Sequence, residues 1–370
     1  MTCVCVAAVL VAALWVLMIA SIPRYGREHG LPVDGGRPLA DVRICVPARD
    51  EAANIAACVS AARAAAPGAE IVVVDDDSSD GTGAIARAAA VDVTVRAAPP
   101  RPSGWSGKAW ACQVAADGAE ARWLLFVDAD VRLAPLVVSS LVVEAERAQR
   151  DLLSVFGTWR LVTFWERVAI PAIGWFIRGS VDLAAVERGD RAFANGQVLL
   201  VKRSTWSSLG GHGAVRGAVL DDVELARAVR RSGGAVGVRY APWAFEVRLY
   251  DSLSAILAGY GKNLFEGMER RRSVAVAAVL AVTLTSVLPP VLVPVGLLVG
   301  DVELVGVGAA LWALEAAFRF QVERRDGRSG WIAPLHPLGA AVLVVAIVRS
   351  TLRRAVWKGR TFVGGQAGPQ

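Results

Sequence analysis

The sequence predicts an α/β fold: a mostly parallel sheet in one central domain, preceded by a transmembrane helix and followed by membrane helices. Three observations predict it. Short apolar runs rich in Val and Leu alternate with alanine-rich stretches of helical length, as buried parallel strands alternate with helices. Two of those runs end in acids. Val72-Val73-Val74 leads into Asp75-Asp76-Asp77-Ser78-Ser79-Asp80-Gly81-Thr82, and Leu124-Leu125-Phe126-Val127 leads into Asp128-Ala129-Asp130. Finally, the long blocks poor in charge sit at the two ends of the chain.

Taken in order, residues 3–22 carry no charge and match the roughly 20 residues that cross a bilayer. They have no basic n-region and no clear A-x-A site, so they read as an uncleaved anchor over 1–23. Arg24 and Arg27 follow at once, and the positive-inside rule then places the central domain, 40–250, in the cytosol. Within it, strands are expected at 42–46, 71–75, 91–95 and 123–127, with helices over 52–66, from Ser79 or Asp80 as N-cap to 90, and over 107–120. Pro67-Gly68 stops the first helix. This alternation implies right-handed βαβ units. Beyond Asp130 the pattern gives a helix over 135–150, strands at 152–157 and 197–202, and a helix from Leu220-Asp221-Asp222 to Arg231. Residues 159–178 are aromatic and apolar without clean alternation and read as a membrane- or acceptor-facing insert.

Residues 251–272 have apolar positions near helical spacing and end in Arg270-Arg271-Arg272, as an interfacial amphipathic segment would. The membrane segments, 273–348, fall into three blocks. Those over 273–300 and 302–318 are expected to cross and return, with a re-entrant segment broken at Pro289-Pro290 and Pro294 as the competing solution. The block over 331–348 is short and holds Pro334 and Pro337, so it is expected to be re-entrant or interfacial. A basic tail, 349–370, is then cytosolic.

Composition agrees with a multi-pass plasma-membrane protein. Of the 370 residues 54% are hydrophobic, and the mean hydropathy is +0.45. The net charge of +6 is concentrated beside the membrane blocks, where it favours anionic headgroups. No basic stripe interleaved with aromatics runs through the central domain, which argues against a nucleic-acid partner. Five cysteines without C-x-x-C spacing fit reduced, buried thiols.

The acids carry the chemistry. Ligands of open α/β sheets bind at the carboxyl ends of the strands. Asp128 and Asp130 can face one pocket if the backbone turns there, and could hold Mg²⁺ or Mn²⁺ against a diphosphate; the alternative is a solvated turn. Asp75 and Asp76 can accept hydrogen bonds from a base or ribose edge, or the cluster can cap the next helix. Asp221 and Asp222, at a helix start, suit a general base or a helix-dipole cap. Lys108 follows Gly107 at a helix start, where a phosphate or plain solvent could meet it.

Val46-Pro47-Ala48-Arg49-Asp50-Glu51, the Asp75 to Thr82 stretch, Asp128-Ala129-Asp130 and Leu220-Asp221-Asp222-Val223-Glu224-Leu225 occur in an order that resembles family 2 glycosyltransferases of the GT-A fold. Trp105-x-Gly107-Lys108-x-Trp110-Ala111, Arg248-x-Tyr250, Gly261-Lys262-Asn263 and Trp357-Lys358-Gly359-Arg360 look most like the hopanoid-associated and carotenoid-type membrane enzymes. The resemblance implies inverting transfer from a nucleotide sugar, a UDP-sugar, to a hydrophobic lipid-type acceptor. It implies that Pro47, Ala48, Arg49, Glu51, Asp75 and Asp76 hold the nucleotide, with Lys108 near its pocket. Asp128 and Asp130 would hold the metal and diphosphate. Asp222, beside Asp221, would deprotonate the acceptor hydroxyl, and Gly210, Gly211 and His212 would line the acceptor side. The family's usual Asn is Asp50 here, and its usual Glu-Asp is Asp221-Asp222. The Gln-x-x-Arg-Trp motif of processive synthases is absent, which favours single-sugar transfer. Two rival readings remain. In a haloacid-dehalogenase-like phosphatase Asp128 would be the nucleophile, but the Asp75 to Thr82 cluster would have no role. A non-catalytic lipid or partner binder would use the fold only as scaffold.

Overall fold

The computed structural model describes residues 8–20, 29–35 and 37–352, and the backbone of 355–357, 360–363 and 366–367. Cys3, Cys5, Arg24, Arg27 and, in the basic tail, Arg353, Arg354 and Lys358 lie outside the described residues. The chain folds as two compact units. One comprises Met1–Glu28, Leu161–Ser180 and Tyr250–Lys358, the other His29–Arg160, Val181–Leu249 and Gly359–Gln370.

The second unit is built on a seven-stranded sheet. Its strands are β1 (Val42–Ala48), β2 (Glu70–Asp75), β3 (Val93–Ala97), β4 (Trp123–Val127), β6 (Leu152–Phe156), β8 (Val198–Lys202) and β9 (Val236–Tyr240), in the order β3-β2-β1-β4-β8-β6-β9. β1 pairs in parallel with both β2 and β4, and β6 with β9, whereas β8 is antiparallel to β4 and to β6. The sheet is thus mostly parallel with one reversed strand. The middle of the sheet is buried on both faces: every residue of β4 is buried, as is every residue of β1 except Pro47. That is why these strands read as unbroken apolar runs rather than alternating ones. A smaller sheet, β5-β10-β7, is made from β5 (Val131–Leu133), β7 (Thr158–Trp159) and β10 (Phe245–Val247). β5 and β7 directly continue the chain beyond the carboxyl ends of β4 and β6.

The helices of this unit are α1 (Ile55–Ala65), α2 (Thr82–Ala89), α3 (Gly107–Ala116), α4 (Val137–Arg147), α5 (Leu183–Arg188), α6 (Arg203–Ser208) and α7 (Asp221–Arg231). The expected N-cap of α2 is displaced by one residue. Gly81, in the left-handed region at φ 86, holds that position, and Asp80 instead accepts from the N–H and hydroxyl of Thr82. Ser106 does cap α3, accepting from the Ala109 N–H. Cys45, Cys58 and Cys112 are free and buried, as the spacing suggested.

One buried ion network ties the far edge of the sheet to its helices. Arg239 of β9 is within 2.6 Å of Glu144 on α4 and of Glu187 on α5. Arg239 and Glu144 are almost fully buried. Removing one partner of such a pair strands the other's charge, which typically costs ~3–5 kcal/mol. Arg147 still reaches Glu144, so Arg239→Met is expected at the lower end, about 3 kcal/mol. A fall in melting temperature of the detergent-solubilised chain checks this, and an unchanged value counts against it.

The first unit is helical. Residues 159–178, read as a membrane- or acceptor-facing insert, contain most of a helix, Phe164–Ser180, with Pro171 inside it. The expected interfacial segment forms Leu253–Gly267. Among the described residues, two helices are long and apolar enough to cross a membrane: Arg272–Val299, with mean hydropathy 2.2, and Ala333–Leu352, with 1.7. In the first, a π-helical turn at Thr283–Val287 precedes Pro289 and Pro290. A wider turn accommodates the missing N–H groups and the ring clash, so the prolines do not break the helix. In the second, Pro334 and Pro337 lie in the opening turns, where proline is tolerated. The block over 331–348 is therefore helical from Ala333 onward. Val302–Arg325 between them buries Glu315, Arg319 and Glu323. The described part of the N-terminal apolar stretch is the shorter helix Ala8–Ala20.

Candidate active site

The site forms where β1, β2 and β4 end, all within the sheet unit. The two loops after β1 and β2 are cross-linked. The Asp50 N–H donates to Ser78 Oγ, and Asp50 Oδ1 accepts from the Ser79 N–H and hydroxyl. Glu51 N–H donates to Thr82 Oγ1, and Ala52 N–H to Asp80 Oδ2. Asp50 sits at φ 50, a region that Asp and Asn tolerate better than other side chains. The position thus asks for a left-handed residue with an acceptor oxygen, and Asp meets both demands where the family usually has Asn.

These bonds sort the acids. Asp75 Oδ1 accepts from the Ser78 N–H, so its carboxylate shapes the turn into α2. Asp76 is buried, and its N–H donates to Ala48 O. Arg49 donates to Asp76 O at 2.8 Å and lies 3.6 Å from Asp76 Oδ2, bracing the two strand ends. Glu51 accepts from the Asn54 side chain.

After β4 the chain does turn, through a bond from the Val131 N–H to Asp128 O. The two carboxylates do not face a single pocket, however. Asp128 lines a small cavity with Pro47, Lys108, Gly196, His212, Asp221 and Asp222. Asp130 lines a second, larger one. They still sense each other. Burial, and then the charges of Asp128 and Glu51, push the Asp130 carboxyl up to about 7. Lys108 Nζ lies 2.6 Å from Asp128 Oδ1. Burial opposes the charge on Lys108, but Asp128 and Asp221 more than offset it and hold the ammonium well above its usual value.

Asp222, in the first turn of α7, is fixed from two sides. Its Oδ2 accepts from the Gly196 N–H at 2.6 Å and its Oδ1 from the Val223 N–H. Position 196 must be glycine for this approach, because a Cβ there would stand 2.8 Å from Oδ2. Burial and the neighbouring Asp221 push Asp222 up to about 6, where it can take or release a proton near neutrality.

Cys112, His212 and Asp221 bring one donor atom each to within 4.8 Å of one another. His212 Nδ1 accepts from the Trp206 indole N–H, a group that can only donate. Burial pulls the ring down to about 4, so it is neutral, and its proton sits on Nε2. That nitrogen is then a hydrogen-bond donor rather than a metal ligand. Burial also raises the Cys112 thiol well above its usual value, which disfavours a thiolate. This trio therefore suits hydrogen bonding to a ligand better than metal coordination. By contrast, Glu51, Asp128 and Asp130 offer only hard oxygen atoms and crowd negative charge, which fits Mg²⁺ or Mn²⁺.

The structure thus brings Pro47, Lys108, Asp128, His212, Asp221 and Asp222 to one cavity. Gly211, at φ 67, positions His212, whose N–H donates to Gln113 Oε1. Sequence reasoning missed Gly196, Cys112, Gln113 and Trp206. Cys112 had a signal, since it lies four residues beyond Lys108 on the same face of α3. Trp206 and Gly196 had none.

Glycosyl transferase family 2 matches residues 43–197. The 4,4'-diaponeurosporenoate glycosyltransferase of Staphylococcus haemolyticus (strain JCSC1435) is 23% identical over 258 residues, 68% of each chain. Among solved structures, a mannosyltransferase from Pyrobaculum calidifontis in complex with GDP-Man and Mn²⁺ has a TM-score of 0.49 at 16% identity. It covers 93% of this chain and 98% of that one. Glucosyl-3-phosphoglycerate synthase from Mycobacterium tuberculosis, in complex with phosphoglyceric acid, has 0.42 at 18%, covering 64% and 80%. The sequence match spans β1 to the turn before β8, the stretch that carries the clustered acids as far as Gly196, and the chain carries a glycosyl transferase family 2 domain there.

Proposed function

We propose that the chain moves one sugar from a UDP-sugar to a hydrophobic, lipid-type acceptor at the cytosolic face of the plasma membrane, with inversion at the anomeric carbon. The observation that carries this reading is the single cavity shared by Asp128, Lys108 and Asp222 at the strand ends. Pro47, Ala48, Arg49, Glu51 and Asp76 form the nucleotide side, with Asp75 shaping the turn beneath it. Asp128 and Asp130 are the residues that would hold Mg²⁺ or Mn²⁺, which when bound supplies positive charge for the departing diphosphate. Lys108 adds a second cation beside Asp128. Asp222 accepts the acceptor's hydroxyl proton as the oxygen attacks from the face opposite the nucleotide. The Gly196 N–H holds that carboxylate in place, and the neighbouring Asp221 raises its proton affinity toward neutrality. The name of the carotenoid-type relative and the two long apolar helices support a lipid acceptor and a membrane location.

The test uses the full chain in detergent with Mn²⁺, host lipid extract, and UDP-glucose, UDP-galactose or GDP-mannose in parallel. Release of nucleoside diphosphate that needs the lipid and stops on chelation is the expected result. Turnover of aryl phosphates without sugar-nucleotide binding would instead favour the phosphatase chemistry.

A further inference from the structure

In the helical unit, Phe164–Ser180 is buried from Val168 to Gly174, but its apolar start is not. Val162 and Phe164 are exposed, and the Phe164 and Trp165 rings meet edge to face at 5.3 Å. This turn is held rigidly. Thr163 Oγ1 accepts from the Glu166 N–H, while the buried Glu166 carboxylate accepts from the N–H groups of Thr163 and Val162. Such a reciprocal capping box fixes the angle at which the chain enters the helix, and here it keeps the apolar side chains outside.

Two more exposed rings lie close by in the same unit. Arg319 is buried and donates to Arg167 O at 2.7 Å and to Glu323 at 2.6 Å, and it lies 3.2 Å from His336 Nδ1. Phe164 is about one helical turn from Arg167, roughly 5 Å of axis. Phe320 follows Arg319 directly, and its ring lies against Gly330, where a Cβ would stand 2.6 Å from it. Trp331 comes next, just ahead of Ala333–Leu352, one of the two helices of membrane-crossing length. Phe320 and Trp331 are exposed, as are Arg167 and Arg324.

Scattered exposed apolar residues are ordinary, but a gathered set marks a contact surface. Rings beside arginines at the end of an apolar helix are the composition of a bilayer's interfacial layer. There a ring sits among the headgroups and a guanidinium meets their phosphates. Continuity with the start of Ala333–Leu352, whose own apolar surface calls for lipid, favours a bilayer over a protein as the occupant.

We propose that Val162, Phe164, Phe320 and Trp331, with Arg167 and Arg324, form a collar that seats in the headgroup layer of an anionic phospholipid bilayer. The proposal rests on the membrane placement above, not on sugar transfer, and adds the surface that meets the lipid.

The test puts a spin label at Val162→Cys in the full chain. Cys3→Ser and Cys5→Ser are included, which leaves only buried native thiols. The chain is reconstituted in nanodiscs of phosphatidylcholine, alone or mixed with phosphatidylglycerol. Labels at Val91→Cys, in an exposed turn of the sheet unit, and at Val291→Cys, within Arg272–Val299, give the water and hydrocarbon references. Collision with oxygen, which concentrates in lipid, is compared with collision with a water-soluble nickel chelate. In mixed discs the oxygen-to-nickel ratio at 162 is expected to exceed that at 91 by about threefold or more and to stay below that at 291. Adding Arg167→Gln and Arg324→Gln is expected to lower the ratio at 162 about twofold and to make it equal in the two lipids. A ratio at 162 equal to that at 91 overturns the proposal. So does a label shielded from both reagents, which would mark a protein interface, or a ratio indifferent to the anionic lipid and to the arginines. No transfer is measured, so failure of the transferase reading leaves this result standing.

Discussion

Asp222→Asn is expected to bind the donor normally and to transfer almost nothing. Asn keeps the size of Asp222 and an oxygen to accept from the Gly196 N–H, so the loop before β8 should stay in place. What is lost is the capacity to accept a proton, and a positioned general base contributes roughly 10²–10⁴-fold. A drop in kcat of that order, with donor Kd within twofold, is the predicted split. The pH profile adds a second reading. Burial and Asp221 set Asp222 near about 6. A base works only when deprotonated, so kcat/KM should fall tenfold per unit below that value and level off above it. In Asp222→Asn the residual rate should show no such limb. An unchanged acid limb in the variant would remove Asp222 from the proton transfer.

Asp130→Ala is expected to abolish metal-dependent nucleotide binding. Residues one shell out from a metal already cost roughly 10–100-fold when lost, so removing a ligand should cost at least about 100-fold. The same substitution removes a carboxylate that burial first, and the charges of Asp128 and Glu51 next, push up to about 7, so its charged form is disfavoured where it sits. The metal-free protein should therefore fold at least as well as the unsubstituted chain. Titration of UDP with and without Mn²⁺ checks the first claim, and a melting curve the second. Equal UDP affinity in the variant would move the metal elsewhere.

Much of this arrangement is legible in the residues because burial leaves a direct trace. β4 spans 123–127 and α7 runs from Asp221 to Arg231, as the residues predict. An unbroken apolar run that stops at acids marks a buried strand reaching a polar edge, and paired acids before an amphipathic stretch mark a helix start. Strand direction leaves no such trace. β8 reads like its neighbours, and only the sheet shows that it runs the other way. The helix Phe164–Ser180 was hidden because buried residues run unbroken from Val168 to Gly174, which erases a one-sided stripe. Gly196 was invisible for a different reason: its need to be glycine comes from Asp222, 26 positions away. What spacing could not separate at Asp75 and Asp76, hydrogen bonds did, with Asp75 turned to Ser78 and Asp76 held by Arg49.

Comparative lipid analysis by mass spectrometry probes the whole scheme at once, in cells carrying either the unsubstituted chain or Asp222→Asn at matched protein levels. The scheme predicts one lipid series heavier by a single hexose-type sugar in the first and missing in the second, with its unglycosylated precursor accumulating. Identical lipids in the two strains, while the purified protein turns over a sugar nucleotide onto a water-soluble or protein acceptor, would contradict it.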